Sequence, residues 1–326
     1  ILFMKIAIVK LSALGDIIHA MVVLQFIKKC NQVVEVDWIV EDTYKDLLKT
    51  HPDINNIITV DIKKVKKKKS LYLLYKELKR LRSFGPYDLV IDMQSLIKSA
   101  IISRLIPSRV TLGFDNSSSR ESLASIFYNK TFKLSYDENI IERNFKLISF
   151  ALDLSVKLEE LSYKMPFLYS KKKYLNLSLS NFKKNIVLIP GASFASKQYP
   201  VENFAEVTQL LDANYLIIWG NNEERLLAEK IKDLAPHVNI CEKLSIEGLI
   251  SLISQVDLII GPDTGPTHIG WALNVPSITL FGPTPGYRNS LVTPNNKIIE
   301  SESDVNPYSC LLYTSPSPRD RTRSRM

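Results

Sequence analysis

Apolar and polar positions alternate in blocks along the chain. MKIAIVKL, residues 4–11, is a short apolar run rich in β-branched side chains, and LGDIIHAMVVLQFIKK follows with apolar residues at helical spacing. VEVDWIV and NIITVDI then read as strands, a helix is expected near Leu71–Arg82, DLVIDM is a strand, a helix starts from Leu96, and RVTLGF is a further strand. After Tyr169 the stretch YSKKKYLNLSLSNFKKN is polar and has no strong period, and a domain boundary is expected there. The pattern then restarts. NIVLIPG, YLIIWG, VDLIIG and PSITLFG read as strands, with helices over Val201–Leu211, Glu223–Leu234, Ile246–Ser254 and Pro266–Leu273.

Strands that alternate with helices build parallel sheets covered on both faces. The expected fold is therefore α/β, with two Rossmann-like doubly wound domains, 4–178 and 179–309, facing a central cleft. Ligands bind in such folds beyond the carboxyl ends of the strands.

At 326 residues the chain is long for one core, which agrees with two domains. A hydrophobic content of 45% with 23% charged residues is that of a soluble globular protein. The longest apolar run, around Ile17–Ile27, is broken by His19 and Gln25 and falls short of the ~18 residues a membrane span needs. The N-terminus does not read as a secretory signal, and Met4 reads as the natural start. Cys30, Cys241 and Cys310 are scattered, without zinc-site spacing, and fit a reducing cytoplasm.

The net charge of +8 points to an acidic partner, but +3 of it sits in residues 310–326, CLLYTSPSPRDRTRSRM. That tail has no period and no apolar face, and reads as disordered or non-native. DIKKVKKKKS, residues 61–70, packs six lysines into seven positions, among them Lys66 and Lys67. It reads either as a solvated charged loop or as a patch for an anionic ligand or membrane surface. No aromatic interleaving or binding motif accompanies it, so no nucleic-acid partner is expected.

Three loops at expected strand ends hold candidate chemistry. In KLSALGDIIH, Asp16 sits where a helix begins, and reads as an N-cap, as a general base facing the cleft, or as both. In IPGASFASKQYP, small and hydroxyl residues let the backbone approach a ligand, and Lys197 is either a phosphate partner or a solvated lysine. In LIIGPDTGPTHIGWAL, Pro266 suits a first helical turn. A helix start with hydroxyls beside it is an anion site. His268 falls in that first turn, as a ligand or as a structural histidine. Asp-Thr-Gly also occurs in aspartic proteases, but those need two such loops in a β-rich fold, and here it occurs once. Neither G-x-G-x-x-G nor a Walker loop is present, so a dinucleotide dehydrogenase or P-loop NTPase has no support.

Taken together, VKLSALGDIIHA, IDMQSLIKSA and PDTGPTHIGWAL resemble, in order, the N-terminal loop, the D-x-Q-x-x-x-K-S segment and the D-T-G-x-x-H motif of the lipopolysaccharide heptosyltransferases, glycosyltransferase family 9. SSRESLASIFYNK is similar to a stretch of the type I members. The resemblance covers roughly Met4–Val305 and implies the GT-B fold. It implies an inverting transfer of heptose from ADP-heptose to the 3-deoxy-manno-octulosonic acid (Kdo) of lipid A–Kdo, without metal or other cofactor, at the cytoplasmic face of the inner membrane with peripheral contact. Carried over by motif, Asp16 is the base. Ser193, Lys197, Thr264, Gly265 and His268 surround the donor diphosphate, with Asp263 beside the donor sugar and Glu223 or Glu224 near the nucleoside. Lys98 and Arg120 match the acceptor side, and Lys66 and Lys67 are added as basic acceptor candidates. A type II enzyme, another sugar-nucleotide transferase or a non-catalytic nucleotide-sugar binding module are the alternatives.

Overall fold

The computed structural model describes residues 4–61, 71–171 and 178–301. The chain divides into two compact units, residues 1–172 and 173–326. Lys66, Lys67 and the tail 310–326 lie outside the described residues.

Unit 1 is built on β1 (Lys5–Val9), β2 (Glu35–Glu41), β3 (Asn56–Val60), β4 (Tyr87–Asp92), β5 (Ser108–Phe114) and β6 (Lys130–Phe132). They form one sheet in the order β3-β2-β1-β4-β5-β6, every pairing parallel. Its helices are α1 (Leu14–Met21), α2 (Val23–Cys30), α3 (Leu71–Leu81), α4 (Ile97–Leu105) and α5 (Ile140–Leu152). The single helix expected after β1 is two, meeting at Val22. Val22 and Val23 are adjacent β-branched residues, which crowd the preceding turn and lower helix propensity at the joint.

The sequence reading had no counterpart for β6 or α5. Asn139 starts α5, its Oδ1 accepting from the Ile141 and Glu142 amides at 2.9 and 3.4 Å. The helix buries Ile141, Phe145, Leu147 and Ile148, and Phe145 meets Phe26 of α2 edge-on at 5.1 Å.

Unit 2 repeats the plan with β7 (Asn185–Leu188), β8 (Asn214–Ile217), β9 (Asn239–Ile240), β10 (Leu258–Pro262), β11 (Ser277–Phe281) and β12 (Asn296–Glu300). The sheet order is β12-β11-β10-β7-β8-β9, again parallel throughout. Its helices are α6 (Val201–Val207), α7 (Asn222–Leu234), α8 (Ile246–Ile253) and α9 (Gly265–Ala272). The first stops short of the expected Leu211. Leu210 and Leu211 are 76% and 59% exposed, so another turn would gain no core contact.

Each sheet is apolar on both faces. Ala7, Val9, Ile39 and Val90 pack with Ile102 and Ile106 in unit 1, and Ile186, Leu188 and Ile217 pack with Phe204 and Ile231 in unit 2. Burying one such branched side chain contributes about 1.5–3 kcal/mol. In both units the chain changes direction across the sheet between the first and fourth strands, at β1/β4 and at β7/β10. Loops at such a switch point splay apart and leave a crevice at the carboxyl ends. Among the described residues no helix is long and apolar enough to cross a membrane.

Candidate active site

In unit 2, loops from four strand ends converge. Asp263 follows β10, its amide donating to the Leu280 carbonyl at 3.2 Å. Its carboxylate accepts from Lys197 Nζ at 2.6 Å and Thr284 Oγ1 at 3.2 Å, and lies 3.0 Å from His268 Nε2. Lys197 comes from the turn after β7 and Thr284 from the loop after β11. Burial opposes charge on Asp263, yet the His268 hydrogen bond and the His268 and Lys197 charges outweigh it, holding the carboxyl well below the usual carboxylate range. His268 is buried and hydrogen-bonded to Asp263, as the structural reading expects, and it lies in the first turn of α9.

Thr264 and Gly265 open α9 beside this cluster, with Thr264 extended and making no side-chain cap bond to the first turn. The amides of Thr267 and His268 turn back to the Thr264 carbonyl at 3.1 and 3.3 Å. Thr267 Oγ1 donates to the Pro262 carbonyl at 2.8 Å. Gly261 lets the helix start lie close to the sheet, since a Cβ there would stand 2.7 Å from Ile189 Cβ and 2.9 Å from Thr267 Oγ1. The result is the positive end of an eight-residue helix with the His268 imidazole in its first turn and the Lys197 ammonium beside it, suited to a diphosphate.

Ser193 is exposed in the same loop that carries Lys197. Glu223 and Glu224 are now distinguished. Glu223 is exposed, whereas Glu224 turns back, accepting from the Gly220 amide at 2.6 Å and from Asn221 Nδ2 at 2.9 Å. Its side chain lies against Gly191 of the β7 loop, where a Cβ would come within 2.4 Å of Glu224 Cγ. Glu224 is thus the acid that faces the loop of Ser193 and Lys197.

In unit 1, Asp16 occupies the third position of α1 and accepts from the Ala13 amide at 3.2 Å. Asp16 is therefore not the N-cap: that position is Ala13, which has no side-chain acceptor, and the Asp16 carboxylate bonds back to the Ala13 amide, which holds it in the segment that follows β1. The D-x-Q-x-x-x-K segment surrounds this loop. Gln94 Oε1 accepts from the Leu11 and Ser12 amides at 3.0 and 3.3 Å. Asp92, fully buried, accepts from the Gln94 and Ser95 amides at 2.8 and 3.0 Å and from Tyr128 Oη at 2.8 Å. Burial pushes the Asp92 carboxyl up, against the pull of those hydrogen bonds. Gly113 makes room for that tyrosine, since a Cβ would fall 2.3 Å from its ring.

Lys98 Nζ lies 3.1 Å from Glu41 Oε1 and 3.5 Å from Ser12 Oγ. Arg120 is exposed, and the adjacent Glu121 ties its segment to α4 by accepting from the Ile97 amide at 2.7 Å. Glu41, Gln94, Asp92 and Thr284 were not among the expected site residues. Gln94 and Asp92 were within reach, as letters of the same motif as Lys98.

Two doubly wound parallel units in one chain, with functional loops at their switch points, are the architecture of GT-B glycosyltransferases. A family model described as glycosyltransferase family 9 (heptosyltransferase) matches residues 74–318. Lipopolysaccharide heptosyltransferase 1 of Campylobacter coli is 39% identical over 316 residues, covering 93% of this chain and 91% of its own. Lipopolysaccharide heptosyltransferase 1 of Escherichia coli K12 is 28% identical, covering 86% and 88%. Among solved structures, E. coli heptosyltransferase WaaC with ADP has a TM-score of 0.77 at 25% identity, over 94% of each chain. The chain belongs to glycosyltransferase family 9, the heptosyltransferases.

Proposed function

We propose that this heptosyltransferase moves L-glycero-D-manno-heptose from ADP-heptose to the Kdo of lipid A–Kdo in lipopolysaccharide inner-core synthesis, as a type I enzyme. The observation that carries this reading is the Lys197–Asp263–His268–Thr284 cluster at the start of α9. The relatives named lipopolysaccharide heptosyltransferase 1 support the choice of type, and the solved relative that holds ADP supports the nucleotide.

The chemistry follows from the groups. The acceptor hydroxyl oxygen attacks the anomeric carbon of the heptose while its bond to the diphosphate oxygen breaks. ADP leaves with the electron pair, and the hydroxyl proton passes to the Asp16 carboxylate, which contributes ~10²–10⁴-fold as a general base. Charge grows on the departing diphosphate. Lys197, His268 and the helix start with Thr264 and Gly265 are pre-set to meet it, so no reorganisation is required at the moment of bond breaking. Asp263 orients Lys197 and His268 and borders the sugar, Ser193 lines the phosphate loop, and Glu224 takes the nucleoside side. Lys98 and Arg120, with Lys66 and Lys67, receive the anionic acceptor. The enzyme works at the cytoplasmic face of the inner membrane in peripheral contact with it, because the acceptor is a lipid.

The test is turnover of ADP-heptose with Kdo–lipid A, read as ADP release and as the mass of the glycosylated lipid. Transfer only to an already heptosylated acceptor would replace type I by type II. Nucleotide-sugar binding without transfer to either acceptor would leave a binding module.

A further inference from the structure

Glu41 lies outside the segments that carry the resemblance, yet it is built into the loop of Asp16. It ends β2, and its amide donates to the Leu11 carbonyl at 3.1 Å, extending the β1–β2 ladder into the loop that carries Asp16. Its side chain is 8% exposed and meets the ammonium of Lys98, which is 37% exposed. A carboxylate at such depth is costly unless a cation compensates it. The partner comes from a different strand end, fifty-seven residues away, through α4 after β4. Three neighbouring strands, β2, β1 and β4, therefore deliver Glu41, Ser12 and Lys98 to one spot.

An ammonium has three donors. Glu41 and Ser12 Oγ face two of them, and the partial exposure of Lys98 leaves donor capacity directed at solvent. A lysine left to itself samples many rotamers and loses that freedom on binding an anion. A buried carboxylate that fixes the ammonium beforehand removes much of this cost, as preorganisation does generally.

We propose that Glu41 is a positioning residue that presets the Lys98 ammonium beside the Asp16 loop, ready to receive an anionic group, a carboxylate or phosphate, of the acceptor. The proposal rests on the reading of Lys98 as an acceptor residue, while the preset itself is measurable without turnover.

Two measurements on the full chain test it. In the first, amine labelling of Lys98 is followed by peptide mass spectrometry in wild type and in Glu41→Gln. The amide keeps the shape of the side chain but not its charge, so Lys98 is expected to label several-fold faster, with other lysines unchanged. Equal labelling rates overturn the proposal, whatever the enzyme transfers. In the second, Glu41→Gln raises the acceptor KM about tenfold with little change in kcat and with ADP affinity kept. The double variant Glu41→Gln/Lys98→Ala is expected to have an acceptor KM no higher than Lys98→Ala alone, because the effect of Glu41 on the acceptor passes through Lys98. A KM unchanged in Glu41→Gln, or effects that simply add in the double variant, also overturn it. A parallel loss of Tm, kcat and ADP affinity in Glu41→Gln would show a merely structural residue. Faster labelling in an enzyme that fails to use Kdo–lipid A keeps the preset and instead removes the acceptor assignment.

Discussion

Replacing Lys197 with alanine separates the structural and ligand-binding duties of the cluster after β10. Lys197 and Asp263 are 18% and 11% exposed and 2.6 Å apart, so the pair is largely shielded from water. Removing one partner of a buried pair costs about 3–5 kcal/mol when nothing else compensates. Here His268 at 3.0 Å and Thr284 at 3.2 Å still hold the carboxylate. The loss is therefore set at about 2 kcal/mol, the worth of one hydrogen bond to a charged group. That corresponds to a drop in Tm of roughly 4–8 °C for a unit of the size of residues 173–326. Loss of the same kind of bond to a phosphate weakens ADP about 10–100-fold. Thermal denaturation and calorimetric titration with ADP on one preparation read both effects. The double variant Lys197→Ala/Asp263→Asn removes the carboxylate charge that has lost its ammonium, so it regains part of the stability while ADP affinity stays low. If folded Lys197→Ala bound ADP within about threefold of wild type, Lys197 would not be a phosphate partner.

Asp16→Asn keeps an amide oxygen that accepts from the Ala13 amide as the carboxylate does; Tm and ADP affinity hold while kcat falls ~10²-fold or more, and a kcat above about a tenth of wild type removes Asp16 as base. Gly191→Ala displaces Glu224 from its Gly220 and Asn221 contacts, because the new methyl would meet its Cγ at 2.4 Å; ADP binding weakens along with a modest loss of Tm, and unaltered ADP affinity takes Glu224 off the nucleoside side. Asp263 is ionised more readily folded than unfolded, so its contribution is full above the ordinary carboxylate value near pH 4 and is lost as pH falls below it; acid titration of Asp263→Asn shows a shallower loss than wild type. Burial lowers Lys164 to about 7, so between about pH 7 and 10.5 the unfolded chain binds the extra proton and stability rises with pH; Lys164→Met flattens that rise in denaturant melts at a series of pH values.

The strand–helix alternation was legible because parallel strands buried on both faces read as apolar blocks, as in IAIV of β1 and LIIG of β10. The loops were legible for a different reason: Asp16, Lys197 and Asp263 each lie in the segment between such a block and the next helix. α5 was equally open to reading, with Asn139 as its cap and apolar residues at 141, 145 and 148, and nothing in its chemistry hid it. The pairings were a different matter. Lys197 meets Asp263 across sixty-six positions and Glu41 meets Lys98 across fifty-seven, and no local period carries such information. Which of Glu223 and Glu224 faces the β7 loop depends on the direction of a helical first turn, and the Gly220 and Asn221 contacts show that it is Glu224.

Counted within its own unit, each sheet runs 3-2-1-4-5-6. Asp16 and the Lys197 turn follow first strands, Lys98 and Asp263 follow fourth strands, and an acid, Glu41 or Glu224, belongs to each second-strand end. The chain is thus a doubled instrument with one tuning point per half. On the roles proposed above, the nucleotide-sugar grip is encoded after β7, β8, β10 and β11, wholly beyond residue 172, and the acceptor grip around β1, β2 and β4. A library aimed at a new donor is therefore expected to need less than half of the gene, with unit 1 left as it is.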